Sequence, residues 1–375
     1  VAFPGVAARL FLEYKAVTKK GFMMKLTIPL QTALTLRDKG ALLVDARSPA
    51  EFSAATIPGS VNVPLLDDDQ RREVGTLFRQ QGKQAARLLG IRLVSPKIPD
   101  LVNRVLQTKP PNLPVVVFCW RGGMRSRTLT QLLDLAGIPA RQISGGHKVF
   151  RKHVLDFFAA GHWGRLVVLR GLTGVGKTII LQRLANESWP VVDLEALANH
   201  RGSAFGGLGL PAQPSQKMFE AMLWDRLRHI PESGFALTEG ESRHIGRVVQ
   251  PARFFESLQL EKSLWIHAPL QVRIDNILAD YPARDDLRGQ IRSRLLTLKE
   301  RLGKEAVDEL EKLLETSRWK DLVRELMVRY YDPLYRHTLP ERRVEVTVGQ
   351  PQGDLTAVHQ AIREILETPA EGRKQ

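Results

Sequence analysis

Among the 375 residues there is one cysteine, Cys119. A single thiol excludes an internal disulfide and suits a reducing compartment such as the cytoplasm. Long apolar runs are also lacking. No uninterrupted stretch reaches the ~20 apolar residues of a membrane-spanning helix, so a soluble chain is expected although 43% of its residues are hydrophobic. Acidic residues are in deficit, 40 against 55 Lys and Arg, and the resulting net charge of +15 favours a polyanionic partner. No His, Cys, Asp and Glu cluster has metal-ligand spacing, and repeats and low-complexity runs are absent, which sets aside a resident metal centre and solenoid folds. Residues 1–24 lack the apolar core and cleavage site of a secretory signal. They read as an extension, either disordered or an over-called start.

The lone cysteine ends the run Val115-Val116-Val117-Phe118 and precedes Trp120-Arg121-Gly122-Gly123-Met124-Arg125-Ser126. That order reads as strand, anion-binding loop and helix. Converging backbone N–H groups, the helix N-terminus and the two arginines supply positive potential to a nucleophilic sulfur and to an anion held beside it. A free cysteine more often serves as a small buried hydrophobe, but the adjoining Gly-Gly and arginines favour the nucleophile.

A second motif follows the strand-like Arg165–Leu169. Gly171-Leu172-Thr173-Gly174-Val175-Gly176-Lys177-Thr178 matches the phosphate-loop pattern in full. Its glycines let N–H groups close around a diphosphate, Lys177 adds charge, and Thr178 is the magnesium ligand if magnesium is used. Nucleoside triphosphatases add an acidic residue after a second strand, and Asp193, Glu239 and Glu241 are the candidates, none in the usual Asp-Glu form. A prenyl diphosphate would be accepted equally well. Two polar, glycine-rich stretches, 193–206 and 241–246, bring His200, Arg201 and Arg243 forward as diphosphate or RNA contacts, against a bland role in capping helices.

Strands at 42–44, 61–63, 115–118 and 141–143, alternating with helices at 30–39, 69–90, 99–108 and 125–136, predict an α/β fold with a largely parallel sheet. Asp45 and Arg47 end one such strand, where an ion pair tying loops together is the favoured role. A linker is expected at Ala159-Ala160-Gly161, between a domain over 25–158 and a phosphate-loop domain over 162–375. Beyond about residue 269 helical spacing dominates, at 270–280, 284–302, 304–316, 318–331 and 354–367. Arg284, Arg288, Arg292 and Lys299 share one face if that helix is continuous, either as a solvated stripe or as an RNA backbone contact. Tyr330, Tyr331 and Tyr335 are read as core, with base stacking as the minority role.

The motifs carry a resemblance. Asp45-Ala46-Arg47-Ser48-Pro49-Ala50-Glu51-Phe52, Ile57-Pro58-Gly59-Ser60-Val61-Asn62-Val63-Pro64 and the Cys119 loop resemble the three signatures of a rhodanese domain. With Val74-Gly75-Thr76-Leu77-Phe78, Trp120, Ser144-Gly145-Gly146-His147-Lys148 and the phosphate loop, the chain from about Lys25 to its final helix is similar to the bacterial tRNA 2-selenouridine synthases. The resemblance implies a rhodanese-like domain followed by a P-loop NTPase-like domain, acting on wobble 2-thiouridine of tRNA. It implies S-geranylation by geranyl diphosphate, then replacement of the geranylthio group by selenium from selenophosphate, which a selenophosphate synthase provides. No tightly bound cofactor and no membrane partner are implied. Five residues separate Cys119 from Arg125, one more than in rhodaneses that move a single sulfur and the same as in rhodanese-fold phosphatases, and a wider ring suits a tetrahedral anion. Two other readings stay open: a persulfide sulfurtransferase fused to an ATP-dependent kinase-like module, and a non-catalytic RNA-binding regulator.

Overall fold

Short β-branched runs that are apolar on both faces belong in a parallel sheet covered by helices on each side, and both halves of the chain are built this way. The computed structural model describes residues 26–281, 285–335, 339–351 and 353–368, so the extension 1–24 and Arg284 lie outside the described residues. The chain divides into two units at His153/Val154.

In the first unit β1 (Thr27–Ile28), β2 (Leu43–Asp45), β3 (Ser60–Asn62), β4 (Val115–Phe118) and β5 (Ala140–Ile143) form a sheet of order β1-β5-β4-β2-β3 with every pair parallel. The helices are α1 (Leu30–Asp38), α2 (Pro49–Ala54), α3 (Asp68–Val94), α4 (Ile98–Thr108), α5 (Met124–Leu135) and α6 (Gly146–Ala160). β4 is central and wholly buried, and Val44, Val115, Val117, Leu129 and Leu133 form the core on one side of it. The expected strands and helices lie within a few residues of those observed. α6 runs through Ala160, so the expected linker there is helical instead. Asp45 and Arg47 form a buried ion pair of 2.6 Å. Thr56 donates to the same carboxylate and Arg47 donates to the Ala55 carbonyl, so the pair ties the loop after β2 to the end of α2.

In the second unit β6 (Arg165–Gly171), β7 (Val191–Val192), β8 (Phe235–Glu239), β11 (Ser263–His267) and β12 (Arg343–Thr347) form a parallel sheet of order β12-β11-β6-β8-β7. β9 (His244–Ile245) and β10 (Val248–Val249) pair separately as an antiparallel ribbon. α7 (Lys177–Asn186), α8 (Leu194–Ala198), α9 (Gln216–Leu227) and α10 (Ala252–Leu260) complete the α/β part. A helical insertion follows: α11 (Leu270–Asp280), α12 (Arg288–Thr297), α13 (Lys299–Leu302), α14 (Lys304–Glu315), α15 (Trp319–Leu326), a π turn at Met327–Tyr331 and α16 (Asp332–Tyr335). It packs around Leu295, Leu310, Leu314 and Leu326.

The expected helical portion does not continue to the C-terminus. The chain returns to the sheet as β12, paired with β11 over five residues, and α17 (Thr356–Glu367) buries Val358, Ile362 and Ile365 against the core that holds Ile180 and Leu181. The charged residues interleaved in Arg343-Val344-Glu345-Val346-Thr347 suit an edge strand and give it no apolar run to be recognised by. The continuous helix expected over 284–302 is broken between α12 and α13.

Candidate active sites

The two chemistry-bearing loops follow the carboxyl ends of β4 and β6, where open parallel sheets place their ligands. In the first, Cys119 is buried, with its sulfur accepting from the Gly123 N–H at 3.3 Å and from Ser126 Oγ at 3.0 Å. Ser126 is itself oriented by Gln142, whose Nε2 donates to Oγ at 2.8 Å and to the Gly123 carbonyl at 3.2 Å. Sequence reasoning missed Gln142, because its only signal is an amide in a buried strand.

The loop is fixed from outside by the start of α6. His147 N donates to the Cys119 carbonyl at 2.8 Å and Lys148 N to the Trp120 carbonyl at 2.9 Å. This crossing needs glycine: Gly146 has φ +58°, and a Cβ there would stand 2.1 Å from Cys119 O and 2.5 Å from Gly122 N. Trp120 is 37% exposed and stacks on the His147 ring with centroids 5.6 Å apart. Arg121 is exposed at the loop.

Arg125, expected to clamp an anion, is engaged otherwise. Its guanidinium forks onto Glu51, with Nη2 to Oε1 at 3.3 Å and a closer contact from Nη1 to Oε2. Burial pushes the Glu51 carboxyl up, but the Arg125 hydrogen bonds and charge, with Ser48 N and Arg71, outweigh it and hold the group below the usual carboxylate range. The partner lies 74 residues away in sequence, which is why a local reading left Arg125 free.

In the second site β6 runs into the loop Gly171–Gly176 and α7 begins at Lys177. Gly174 and Gly176 have φ of +81° and +86°, and a Cβ on Gly174 would lie 2.6 Å from the Arg273 carbonyl. The loop is braced from α11. Arg273 Nε donates to the Thr173 carbonyl at 2.8 Å while pairing with Asp332, and Asn276 donates to the Gly174 carbonyl at 2.8 Å. Lys177 Nζ reaches the Gly171 carbonyl at 3.4 Å.

Thr178 Oγ1 donates to Glu195 at 2.9 Å, and Glu195 N donates to Glu239 at 2.6 Å. Of the acidic candidates, Asp193 instead caps α8 through Ala196 N. Glu195, the carboxylate that meets Thr178, was not singled out, because one turn of α8 decides which of the two faces the loop. Burial pushes Glu195 and Glu239 up, and Glu241 up to about 8, with neighbouring carboxylates adding to the effect and Lys177 opposing it at Glu195 and Glu241. Glu241 approaches so closely that a Cβ on Gly202 would stand 2.1 Å from its Oε2.

Lys177, Thr178, Glu195, Arg201 and Glu241 line a cavity of about 130 Å³. Through Thr173, Ser203 and Tyr281 it adjoins an almost wholly apolar cavity of about 80 Å³ among Phe205, Leu208, Ile277 and Leu326. Through Gly202, Ser203 and Glu241 it adjoins a wider one of about 1000 Å³, walled by Arg170, Arg243, Arg342, Trp265, Tyr330 and Tyr335.

Arg201 therefore faces the phosphate loop, although its donors also hold the Leu208 and Asp280 carbonyls at 2.9 Å and its guanidinium lies over Tyr281. Arg243 faces the wider cavity. His200 lines neither and sits beside Gly206 and Gly207, its ring pushed toward the neutral form by burial and by Arg294 and Arg201. Of the stripe read either as solvated or as an RNA contact, Lys299 is exposed, whereas Arg288 and Arg292 are engaged within the unit. Arg288 donates to the Leu314 carbonyl and to Ser317 and stacks on Trp319, and Arg292 pairs with Glu315 at 2.8 Å and Glu311 at 3.4 Å. The facing helix α14, the turn after it and the start of α15 supply these partners, which a reading of one helix could not include.

Two family models match the chain: a rhodanese-like domain over residues 30–153 and the tRNA 2-selenouridine synthase AAA domain over residues 164–368. Among curated proteins, a tRNA 2-selenouridine synthase of Nitrosomonas eutropha is 36% identical, the match covering 80% of this chain and 89% of that protein. Those of Nitrosomonas europaea and Bdellovibrio bacteriovorus are 35% and 36% identical, with 84% and 81% of this chain and 92% and 90% of theirs covered.

Proposed function

The chain belongs to the tRNA 2-selenouridine synthase family, and from that premise we propose how it divides the work: the phosphate loop serves an S-geranylation of wobble 2-thiouridine, and the thiol loop serves the exchange of sulfur for selenium. A thiocarbonyl sulfur leaves badly. In the first step the thiocarbonyl sulfur attacks the first carbon of geranyl diphosphate, the C–O bond breaks, pyrophosphate departs and the nucleobase loses its N3 proton. In the second, selenium adds to C2 and the C2–S bond breaks, releasing geranylthiol once that sulfur takes a proton. The P–Se bond of selenophosphate is broken by water, leaving phosphate.

The observation that supports this reading is the pair of cavities flanking the phosphate loop. A diphosphate held by Lys177 and the loop N–H groups has an apolar cavity beside it, with room for the first few carbons of a prenyl chain, and a wider aromatic and arginine-lined one, suited to a nucleotide. Loop donors aimed at departing pyrophosphate stabilise charge where it develops. Among the described residues no group of three or more His, Cys, Asp or Glu is arranged to hold a metal. A magnesium ion brought by the diphosphate would meet Thr178 and Glu195, and its chemistry would be to neutralise phosphate charge. Among the described residues no helix is long and apolar enough to cross a membrane.

Calorimetric titration of the full chain with geranyl diphosphate and with ATP tests the ligand class. Burying even two methylene groups is worth about 1.6 kcal/mol, so geranyl diphosphate should bind about tenfold tighter or better. Tighter binding of ATP, with its hydrolysis, would favour the kinase-like alternative.

A further inference from the structure

α3 is out of keeping with the rest of the first unit. Of its 27 residues only Ala86 and Val94 are buried, while Phe78, Leu88 and Ile91 are 49%, 54% and 62% exposed. Gly82, at φ +82° and ψ −171°, breaks it into two segments, and a Cβ at Gly75, Gly82 or Gly90 would meet nothing within 4 Å. Three glycines make a poor helix on propensity alone, and helices in proteins are held mainly by a packed face. This one meets the sheet core near its ends, through Val74, Leu93 and Val94, and between them buries only Ala86, so the exposure retained along its middle points to an occupant.

The charge pattern identifies the occupant's chemistry. From Val74 to Pro99 there is no Asp or Glu, against Arg79, Lys83, Arg87, Arg92 and Lys97. Lys97 reaches Asp67 at 3.5 Å, whereas for Arg79, Lys83, Arg87 and Arg92 no carboxylate among the described residues lies within ion-pair distance. Lys83 and Arg87 stand about 6 Å apart along the same face. A run of unopposed cations with one exposed aromatic ring fits a nucleic-acid backbone flanked by an unpaired base.

The helix also leads to the thiol. Asp68 in its first turn accepts from Ala50 N at 3.1 Å, and Arg71 lies 3.7 Å from Glu51, the carboxylate that holds Arg125. We propose that α3 is an RNA-docking surface of the first unit. It takes the sugar–phosphate backbone beside the nucleotide that enters the Cys119 loop, with Phe78 stacking on an unpaired base. The proposal rests on tRNA being the substrate, but on neither geranyl diphosphate nor selenophosphate.

The test is fluorescence anisotropy of labelled tRNA with the full chain across a salt series, for wild type, Arg79→Gln, Lys83→Gln, Arg87→Gln and the triple variant, with Lys304→Gln on α14 as a control. Each α3 substitution should lower the slope of log affinity against log salt by about 0.7–0.9 and the triple by about 2–3, the control leaving it unchanged. Phe78→Ala should weaken binding by about fivefold or more and Phe78→Trp should restore it. Wild-type binding with unchanged slopes in every α3 variant overturns the docking surface while leaving the substrate intact. No binding by wild type overturns both. Unchanged slopes with altered sedimentation would assign the face to a second copy of the chain and reject RNA.

Discussion

Glu241 shows what single residues at the phosphate loop contribute. A glutamate in the unfolded chain ionises near 4.5, whereas burial raises this one to about 8. The folded state thus keeps a proton that the unfolded state gives up. The resulting stabilisation is complete below pH 4.5, declines as pH rises through 8, and is flat above that. Scanning calorimetry across this window should show the melting temperature falling with pH, and Glu241→Gln should flatten the fall in part, with Glu195 and Glu239 carrying the remainder. An unchanged slope in the variant would place the proton elsewhere.

The residues whose place in the fold was legible in the sequence were those set by their immediate neighbours. Cys119 stood between a β-branched run and Gly-Gly, and Lys177 and Thr178 closed a fixed eight-residue pattern. Glu51 as the holder of Arg125, and α14 as the holder of Arg288, were not legible, because those pairs join distant segments.

At the scale of elements, β4 and β6 were readable because the buried stretches Val115–Phe118 and Leu166–Leu169 are continuous apolar runs, and β12 was not, because an edge strand carries charge. The crossing of the thiol loop by α6 is likewise invisible in a helix pattern, yet it sets the loop's shape. In Gly146→Ala the new methyl would have to displace the Cys119 carbonyl and the Gly122 N–H at a positive φ. The expected cost is about 2–4 kcal/mol, read by denaturant unfolding, with selenation lost and binding of geranyl diphosphate by the second unit retained. Native stability in this variant would mean that the crossing is loose.

At the scale of the molecule, two parallel sheets in one chain each place a ligand loop at the carboxyl end of a buried strand, and the whole carries a net charge of +15. Composition suggested a polyanionic partner without locating it. Arg288 and Arg292 of α12 are paired within the second unit, whereas for Arg79, Lys83, Arg87 and Arg92 on α3 of the first no carboxylate among the described residues lies within ion-pair distance. The central claim is the division of labour between the two loops, and mass spectrometry of the wobble nucleoside tests it most directly. Thiolated tRNA is incubated with geranyl diphosphate and then selenophosphate, using wild type, Cys119→Ser and Lys177→Ala. Cys119→Ser should accumulate S-geranyl-2-thiouridine and form no 2-selenouridine. Lys177→Ala should slow geranylation by about 2–4 kcal/mol of transition-state stabilisation yet still convert pre-geranylated tRNA. If both variants stop at the same step, or if wild type makes 2-selenouridine without geranyl diphosphate, the account is contradicted.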